Sequence, residues 1–239
     1  MEHWLSRTEL LIGRENLDKL AGAHVLVAGL GGVGGYAAEQ LCRAGIGEMT
    51  LIDGDTVSPS NRNRQIIALT SNEGISKAEL MAHRLLDINP DLRLHLIPDY
   101  IKEDRFSSIL ETPFDYVVDA IDTLTPKVAL LNGAVKKSYR IVSSMGSGGK
   151  LSPEDIVISD IAESHHCKFA YIVRKYLHRQ GITTGITVIY SPEPVNKDAV
   201  REVKGVENKR SVVGTISYMP PVFGCFCASV VIRNLILIG

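Results

Sequence analysis

The chain has 239 residues, a formal net charge of −1, 45% hydrophobic and 22% charged residues. That length and composition suit one large, soluble α/β domain, with or without an irregular appendage, and give enough chain to bury a full core. The charge excludes a chain that is basic throughout, but not one with a local basic face for nucleic acid.

The first predicted element is the apolar strand "HVLVAGL" (24–30). "GGVGG" follows, then a helical pattern with Ala37, Ala38, Leu41 and Cys42 on one face. "EMTLID" (48–53) reads as a second strand, so the order is strand–turn–helix–strand with a right-handed crossover. Residues 76–89 predict a helix opened by a capping box, Ser76 with Glu79. Strands are predicted at 92–97 and 114–121, then a helix at 125–138 with Thr125 as cap and Pro126 in its first position. "RIVSSM" (140–145) predicts another strand, ending in the cluster Gly146, Gly148 and Gly149.

The second half is less regular. Strands are predicted at 155–162 and 186–191, and a helix at 168–181 stopped by Gly181. Residues 192–214 are polar and turn-rich and predict a mobile loop. The apolar run from Met219 to Gly239 contains Arg233 and Asn234, which favours a buried last helix over a membrane span; weak membrane association is the alternative. The fold class is α/β: a Rossmann-like, doubly wound, mostly parallel sheet in residues 1–150, with mixed or antiparallel strands added by 151–239.

Four cysteines, Cys42, Cys167, Cys225 and Cys227, show no C-x-x-C spacing. Met1 to Gly13 is mixed and partly charged, unlike a signal peptide. The expected setting is reducing and cytoplasmic.

Gly29-Leu30-Gly31-Gly32-Val33-Gly34 fits G-x-G-x-x-G between a strand and a helix. Such a turn lets the backbone approach phosphate and offers helix N-terminal amides. Asp53, nineteen residues past Gly34, stands where a carboxylate reaches ribose hydroxyls. This much fits an NAD-dependent oxidoreductase, yet any adenosine-bearing ligand can use the cradle. The surplus charge decides. Asp55, Arg64, Lys77 and Asp122 should lie where ligands of such sheets bind, beyond the strands' carboxyl ends. A magnesium triphosphate needs those cations and a carboxylate for its metal; a dinucleotide does not.

In chain order, "GLGGVG", "LIDGD", "SNRNRQ", "GISKAE" and "DAID" resemble the ThiF-type adenylating family, which includes ubiquitin-activating enzymes and bacterial activators of sulfur-carrier proteins. That resemblance covers roughly residues 5–150. "NRNRQIIAL", "AIDTLTPK" and "VSSMGSGGKLSPEDIVISDIAES" resemble its tRNA threonylcarbamoyladenosine dehydratase branch and extend the likeness over most of the chain.

The resemblance implies that Gly29, Gly31 and Gly34 cradle ATP, that Asp53 holds the ribose, and that Asn61, Arg64 and Lys77 contact phosphates. Asp55 touches nucleotide or metal, or orients Arg62 or Arg64. Asp122 would bind Mg2+. Arg7, in "SRTELLIG", matches an arginine that the family sends into the partner subunit's site, implying a homodimer. Arg7, Arg64, Lys77 and Asp122 form the implied catalytic set, and residues 151–239 become a substrate-binding and dimerisation half.

The implied reaction adenylates the threonyl carboxylate of a modified adenosine at tRNA position 37, beside the anticodon. An internal nucleophile then closes a ring and expels AMP. The basic stretch Lys168, Arg174, Lys175, His178 and Arg179 is a candidate tRNA face, as are Lys136, Lys137 and Arg140, and Lys204, Lys209 and Arg210. Cys167, after His165 and His166, is the best nucleophile candidate, although this mechanism needs none; Cys225 and Cys227 are expected to pack the last helix. The family alternative is adenylation of a ubiquitin-like sulfur carrier, disfavoured by the missing C-x-x-C pairs. A nucleotide-sensing scaffold that binds a sulfurtransferase partner is a non-enzymatic reading, and a cysteine desulfurase or sulfur acceptor is a candidate protein partner.

Overall fold

The strand predicted at the glycine turn forms as β1 (His24–Ala28), and its last four residues are buried. The computed structural model describes residues 3–101, 103–202 and 211–237. Two short helices precede β1, α1 (Ser6–Ile12) and α2 (Arg14–Gly22). After it come α3 (Gly34–Ala44), β2 (Glu48–Ile52), α4 (Lys77–Ile88), β3 (Arg93–Ile97), α5 (Glu103–Ile109), β4 (Tyr116–Asp119), α6 (Leu124–Lys136) and β5 (Ile141–Ser144). The second half supplies β6 (Val157–Asp160), α7 (Lys168–His178), β7 (Thr187–Tyr190), β8 (Val200–Glu202), β9 (Ser211–Val213) and α8 (Met219–Ile236).

Seven strands form one sheet in the order β3-β2-β1-β4-β5-β7-β6. Every neighbouring pair is parallel except β6 with β7, which is antiparallel. The order reverses at β1 and β4, and this switch point opens the crevice beyond the strand ends. The parallel centre is buried on both faces, so β1, β2 and β4 read as nearly continuous apolar runs rather than alternating ones. One face packs on Leu20, Leu41, Met81 and Phe223, the other on Phe106, Leu131, Val173 and Leu177.

α8 has the length and apolar composition of a membrane span. Met219, Phe223, Cys227, Ala228, Val230 and Val231 are buried, and the helix packs against α3 and the sheet. It is a core helix.

Three local expectations change. The cap of α6 is Thr123, not Thr125, so Pro126 falls in the third helical position, where its missing N–H still costs no intrahelical bond. The stretch 192–214 is not simply loop: β8 pairs antiparallel with β9. Residues 203–210, with Lys204, Lys209 and Arg210, lie outside the described residues. At α4, Ser76 Oγ accepts from the Glu79 amide at 3.4 Å, half of the expected capping box.

Candidate nucleotide site

Two of the turn glycines are fixed by packing. Gly29 has φ +87°, and a Cβ there would lie 2.8 Å from the Ala120 carbonyl oxygen. A Cβ on Gly34 would fall 1.7 Å from the Gly29 carbonyl oxygen. No side chain fits at either position, because turn, helix α3 and the end of β4 are in backbone contact. Gly31 differs: its φ is not left-handed, and the nearest atom to an added Cβ is Gln65 Nε2 at 3.6 Å. Its missing side chain leaves open backbone, which is what a phosphate needs.

Asp53 secures this turn. Its Oδ2 accepts from the Leu30 amide at 2.6 Å and its Oδ1 from the Asp55 amide at 2.8 Å. Burial pushes its carboxyl up from the ordinary range, while the Lys77 charge and these two N–H bonds pull the other way. Each oxygen keeps lone-pair capacity for a ribose hydroxyl.

Asp55 pairs with Lys77 and Tyr100. Its Oδ2 accepts from Lys77 Nζ at 2.6 Å, and its Oδ1 accepts from the Tyr100 hydroxyl. That bond to a carboxylate pushes the Tyr100 phenol up to about 12. Lys77 is the first residue of α4, and its side chain is only 5% exposed. The backbone repeats the pairing, with the Lys77 amide donating to the Asp55 carbonyl at 3.0 Å. The extra acid of "LIDGD" therefore anchors the lysine of "GISKAE".

The arginines divide. Arg62 turns away, donating to the Thr70 hydroxyl at 2.8 Å and the Pro59 carbonyl at 3.3 Å. Arg64 donates to the Ser60 carbonyl and to Asn63 Oδ1, both at 2.9 Å, and its Cγ lies 3.2 Å from where a Gly32 Cβ would be. Burial lowers the Arg64 pKa and the nearby Asp122 carboxylate opposes that. Arg64 thus covers the glycine turn with Asp122 in its field. Asn61 is buried nearby, its Oδ1 accepting from the Ser58 amide at 3.1 Å.

The crevice therefore gathers turn amides, the Lys77 cation, the Arg64 cation and three carboxylates. Gln65 Oε1, beside Gly31, is buried without a hydrogen-bond partner among the described residues and can accept from a ligand N–H or hydroxyl. The open Gly31 backbone and the two cations fit a nucleotide polyphosphate, and the exposed Asp122 suits a hard cation.

Arg7 is not in this crevice. It is exposed on α1, and the preceding Leu5 packs within 3.0 Å of the Gly45 Cβ position, at the C-terminal end of α3. The glycine turn is at the other end of that helix, about 16 Å away at 1.5 Å per residue.

Residues not singled out in the sequence form buried polar contacts. Asp119 at the end of β4 accepts from Lys127 Nζ at 2.6 Å and from the Ser143 hydroxyl at 2.6 Å, with lysine and aspartate fully buried. Lys150, after the glycine cluster, is buried and donates to the Glu193 carbonyl; its neighbours are Cys167 and Glu193, and burial lowers its pKa. Cys167 is buried at the N-cap of α7. His165 bonds the Tyr190 hydroxyl at 3.0 Å and the Glu163 carbonyl at 3.1 Å rather than the Cys167 thiol. Burial pushes the Cys227 thiol up to about 12. Cys225 is exposed, contrary to the packing expectation, because two residues along a helix is a turn of about 200°.

On α7, Lys168, Lys175, His178 and Arg179 are exposed beside Tyr171 and Tyr176, and Arg179 stacks over the Tyr176 ring at 5.3 Å. Arg174 is instead tied to the Ile161 and Ser164 carbonyls.

The ThiF family matches residues 5–238. A tRNA threonylcarbamoyladenosine dehydratase of Bacillus subtilis (strain 168) is 38% identical over 233 residues, covering 96% of this chain and 90% of that protein. The crystal structure of E. coli tRNA N6-threonylcarbamoyladenosine dehydratase, TcdA, in complex with ATP superposes with a TM-score of 0.88 at 32% identity, covering 98% of this chain and 93% of that one. An adenylyltransferase and sulfurtransferase UBA4 of Lodderomyces elongisporus is 36% identical over only 128 residues, 54% of this chain and 28% of that protein.

Proposed function

The chain belongs to the ThiF family, and from that premise we propose that it is an ATP-dependent dehydratase that cyclises N6-threonylcarbamoyladenosine at position 37 of tRNA through an acyl-adenylate. The supporting observation is the crevice in which Lys77, anchored by Asp55, and Arg64, in the field of Asp122, flank the Asp53-held glycine turn.

A carboxylate resists substitution because oxide would have to leave. The threonyl carboxylate attacks the α-phosphorus of ATP; the bond to the bridging oxygen breaks and pyrophosphate departs. An internal nucleophile of the same modification then attacks the acyl carbon, loses its proton and expels AMP. The carboxylate oxygen leaves on AMP, so the nucleoside loses one water overall. Both reacting groups belong to one substrate, and proximity replaces a protein nucleophile.

This chain's residues act on the first departure. Lys77 gives one N–H to Asp55 and retains two for phosphate oxygens. Arg64 adds a second, fixed cation over the turn, and Asp53 offers its remaining lone pairs to the ribose. Asp122 would hold Mg2+, which neutralises phosphate charge when bound. The homodimer reading rests on α1: Leu10 and Leu11 are 89% and 84% exposed, and Arg7 beside them is too far from its own turn to serve it. Residues 1–150 then form the ATP-binding half and 151–239 the substrate and dimerisation half, with α7 as the tRNA face. A cysteine desulfurase or sulfur acceptor that exchanged sulfur with a cysteine here would have to use Cys225, the exposed cysteine among the described residues, whose thiol is raised in pKa by partial burial, away from the thiolate.

The second reading, adenylation of a ubiquitin-like sulfur carrier, is favoured by partial likenesses to adenylyltransferase and sulfurtransferase proteins, such as the one over 128 residues. Incubation with ATP, Mg2+ and tRNA bearing the modified adenosine, followed by nucleoside mass analysis, tests the proposal. Loss of one water with AMP release is expected; an unchanged nucleoside mass overturns it.

A further inference from the structure

A second cluster lies at the opposite end of the sheet from the nucleotide crevice. His24 opens β1, Glu48 opens β2, and His95 is the third residue of β3. The three strands are adjacent and parallel, in a register that sets His24 against Glu48 and Thr50 against His95. The cluster lines a cavity of about 640 Å³ with Thr50, Phe114 and Asp115. From this arrangement we infer that His24, Glu48 and His95 bind a divalent transition-metal ion of the zinc type.

The geometry fits a compact ion. One ligand atom from each residue can be chosen so that all three lie within 4.8 Å of one another. Glu48 Oε1 stands 2.9 Å from His95 Nε2 and 3.6 Å from His24 Nδ1. A tetrahedral ion with bonds of about 2.0 Å keeps its ligand atoms about 3.3 Å apart, so closure requires shifts of a few tenths of an ångström at these two pairs. Two imidazoles and one carboxylate oxygen suit zinc and its neighbours, whereas magnesium and calcium prefer all-oxygen sets.

The supporting shell is already in place. His24 Nε2 is 2.9 Å from Thr50 Oγ1, which orients the ring and leaves Nδ1 toward Glu48. Arg93 donates to Glu48 Oε2 at 2.8 and 3.1 Å, which orients the carboxylate and leaves Oε1 for the ion. Phe114 packs on the His24 ring with centroids 4.7 Å apart. Such outer contacts are what hold first-shell ligands in metal sites. Arg93 lowers the local negative charge; Asp115, whose Oδ2 accepts from the His24 amide at 2.8 Å, restores part of it. An ion here would tie the sheet-edge strand β3 to β2 and β1, away from the adenylation chemistry.

The competing account is a hydrogen-bonded cluster that never takes metal. The test uses the full-length protein, stripped of metal with chelator, then titrated with Zn2+ by equilibrium dialysis and with Co2+ by visible absorption. The expected result is one ion per chain, Co2+ d–d bands without a thiolate charge-transfer band, and a zinc-dependent rise in Tm. His95→Gln changes an exposed side chain, so the fold should persist while Zn2+ affinity falls at least about tenfold. Thr50→Val leaves all three ligands and should weaken binding by about 10–100-fold. Zinc-free wild type and His95→Gln, both assayed with ATP, Mg2+ and tRNA, should form AMP equally well, since the site is remote from the nucleotide crevice. A thiolate band, no binding up to about millimolar Zn2+, or unchanged stoichiometry and affinity in folded His95→Gln overturns the inference.

Discussion

The Lys77 ammonium lies 2.6 Å from Asp55 Oδ2, with the lysine side chain 5% exposed and the aspartate 45% exposed. The aspartate is thus the wet end of the pair and the lysine the dry end, a cation held in low dielectric at the mouth of the crevice. Lys77→Met should keep the fold and reduce pyrophosphate release by on the order of 10²-fold, the usual cost of one fixed transition-state donor. Asp55→Asn should act more on ATP affinity, because Lys77 stays but loses its anchor. Wild-type pyrophosphate release in folded Lys77→Met would remove the lysine from the site.

The glycines of the turn should separate by mutation. Gly34→Ala places a methyl 1.7 Å from the Gly29 carbonyl oxygen, and neither backbone can yield without opening the turn from β4. Loss of soluble folded protein, or a Tm drop of many degrees, is expected. Gly31→Ala meets nothing closer than 3.6 Å. Its Tm should hold or rise slightly, since alanine restricts the unfolded chain by about 0.4–1 kcal/mol. Its ATP affinity should fall at least about tenfold, because the methyl occupies the phosphate approach. Thermal unfolding and ATP titration on the same sample distinguish the two.

The exposed face of α7 gives a substrate-specific expectation. Lys175→Ala with Arg179→Ala should weaken tRNA binding and lower the salt slope by about 0.7–0.9 for each phosphate that is no longer neutralised. ATP binding should be unchanged. Arg174→Ala should behave differently and lower Tm, since that guanidinium holds the Ile161 and Ser164 carbonyls. Filter binding of tRNA across a salt series reads the first effect. An unchanged slope in the double variant would move the tRNA face elsewhere.

Sequence patterns carry the centre of the fold well. A parallel sheet buried on both faces writes itself as apolar runs separated by helical stripes, so β1, α3, β2, α4 and β5 form within a residue or two of where those runs predict them. The edges are less legible. α1 and α5 have seven residues each, too short for a helical period to stand out. α6 starts earlier than predicted because Thr123 and Thr125 both precede an apolar run, and local chemistry does not choose between them. In the site, residue types are legible and partners are not. Asp55 invites pairing with arginines seven and nine residues on, yet Lys77 reaches it because the chain returns beside it, Thr56 bridging Ser76 just before α4. Lys127 gives no signal at all: a lysine in a helix reads as solvated, and only the β4–α6 turn buries it on Asp119 and Ser143.

Acid stability should depend on the contact between α3 and α4. Glu39 is buried on α3; its carboxylate accepts from Arg84 Nε at 2.5 Å across the helix interface and from Arg43 Nε at 2.8 Å within its own helix. Burial alone would raise its pKa, but the bonds from Arg84 and Arg43 outweigh that and hold it below its ordinary value of 4.5. A carboxyl with a depressed folded pKa contributes stability that is fully present above its unfolded pKa and is lost as pH falls through the folded one. Asp53, raised mainly by burial, has the opposite sign: its protonated form is favoured in the folded chain, so its contribution declines as pH rises through its folded value. Arg84→Met should therefore destabilise the protein by about 1–2 kcal/mol at neutral pH, less than a fully buried break because Arg84 is partly exposed. The loss should shrink toward zero below the ordinary carboxylate range, where Glu39 is protonated in both proteins. Urea unfolding of wild type and Arg84→Met at neutral pH and in acid measures this convergence; a gap that stays constant across pH would show that the arginine acts through packing of its stem rather than through the charge on Glu39.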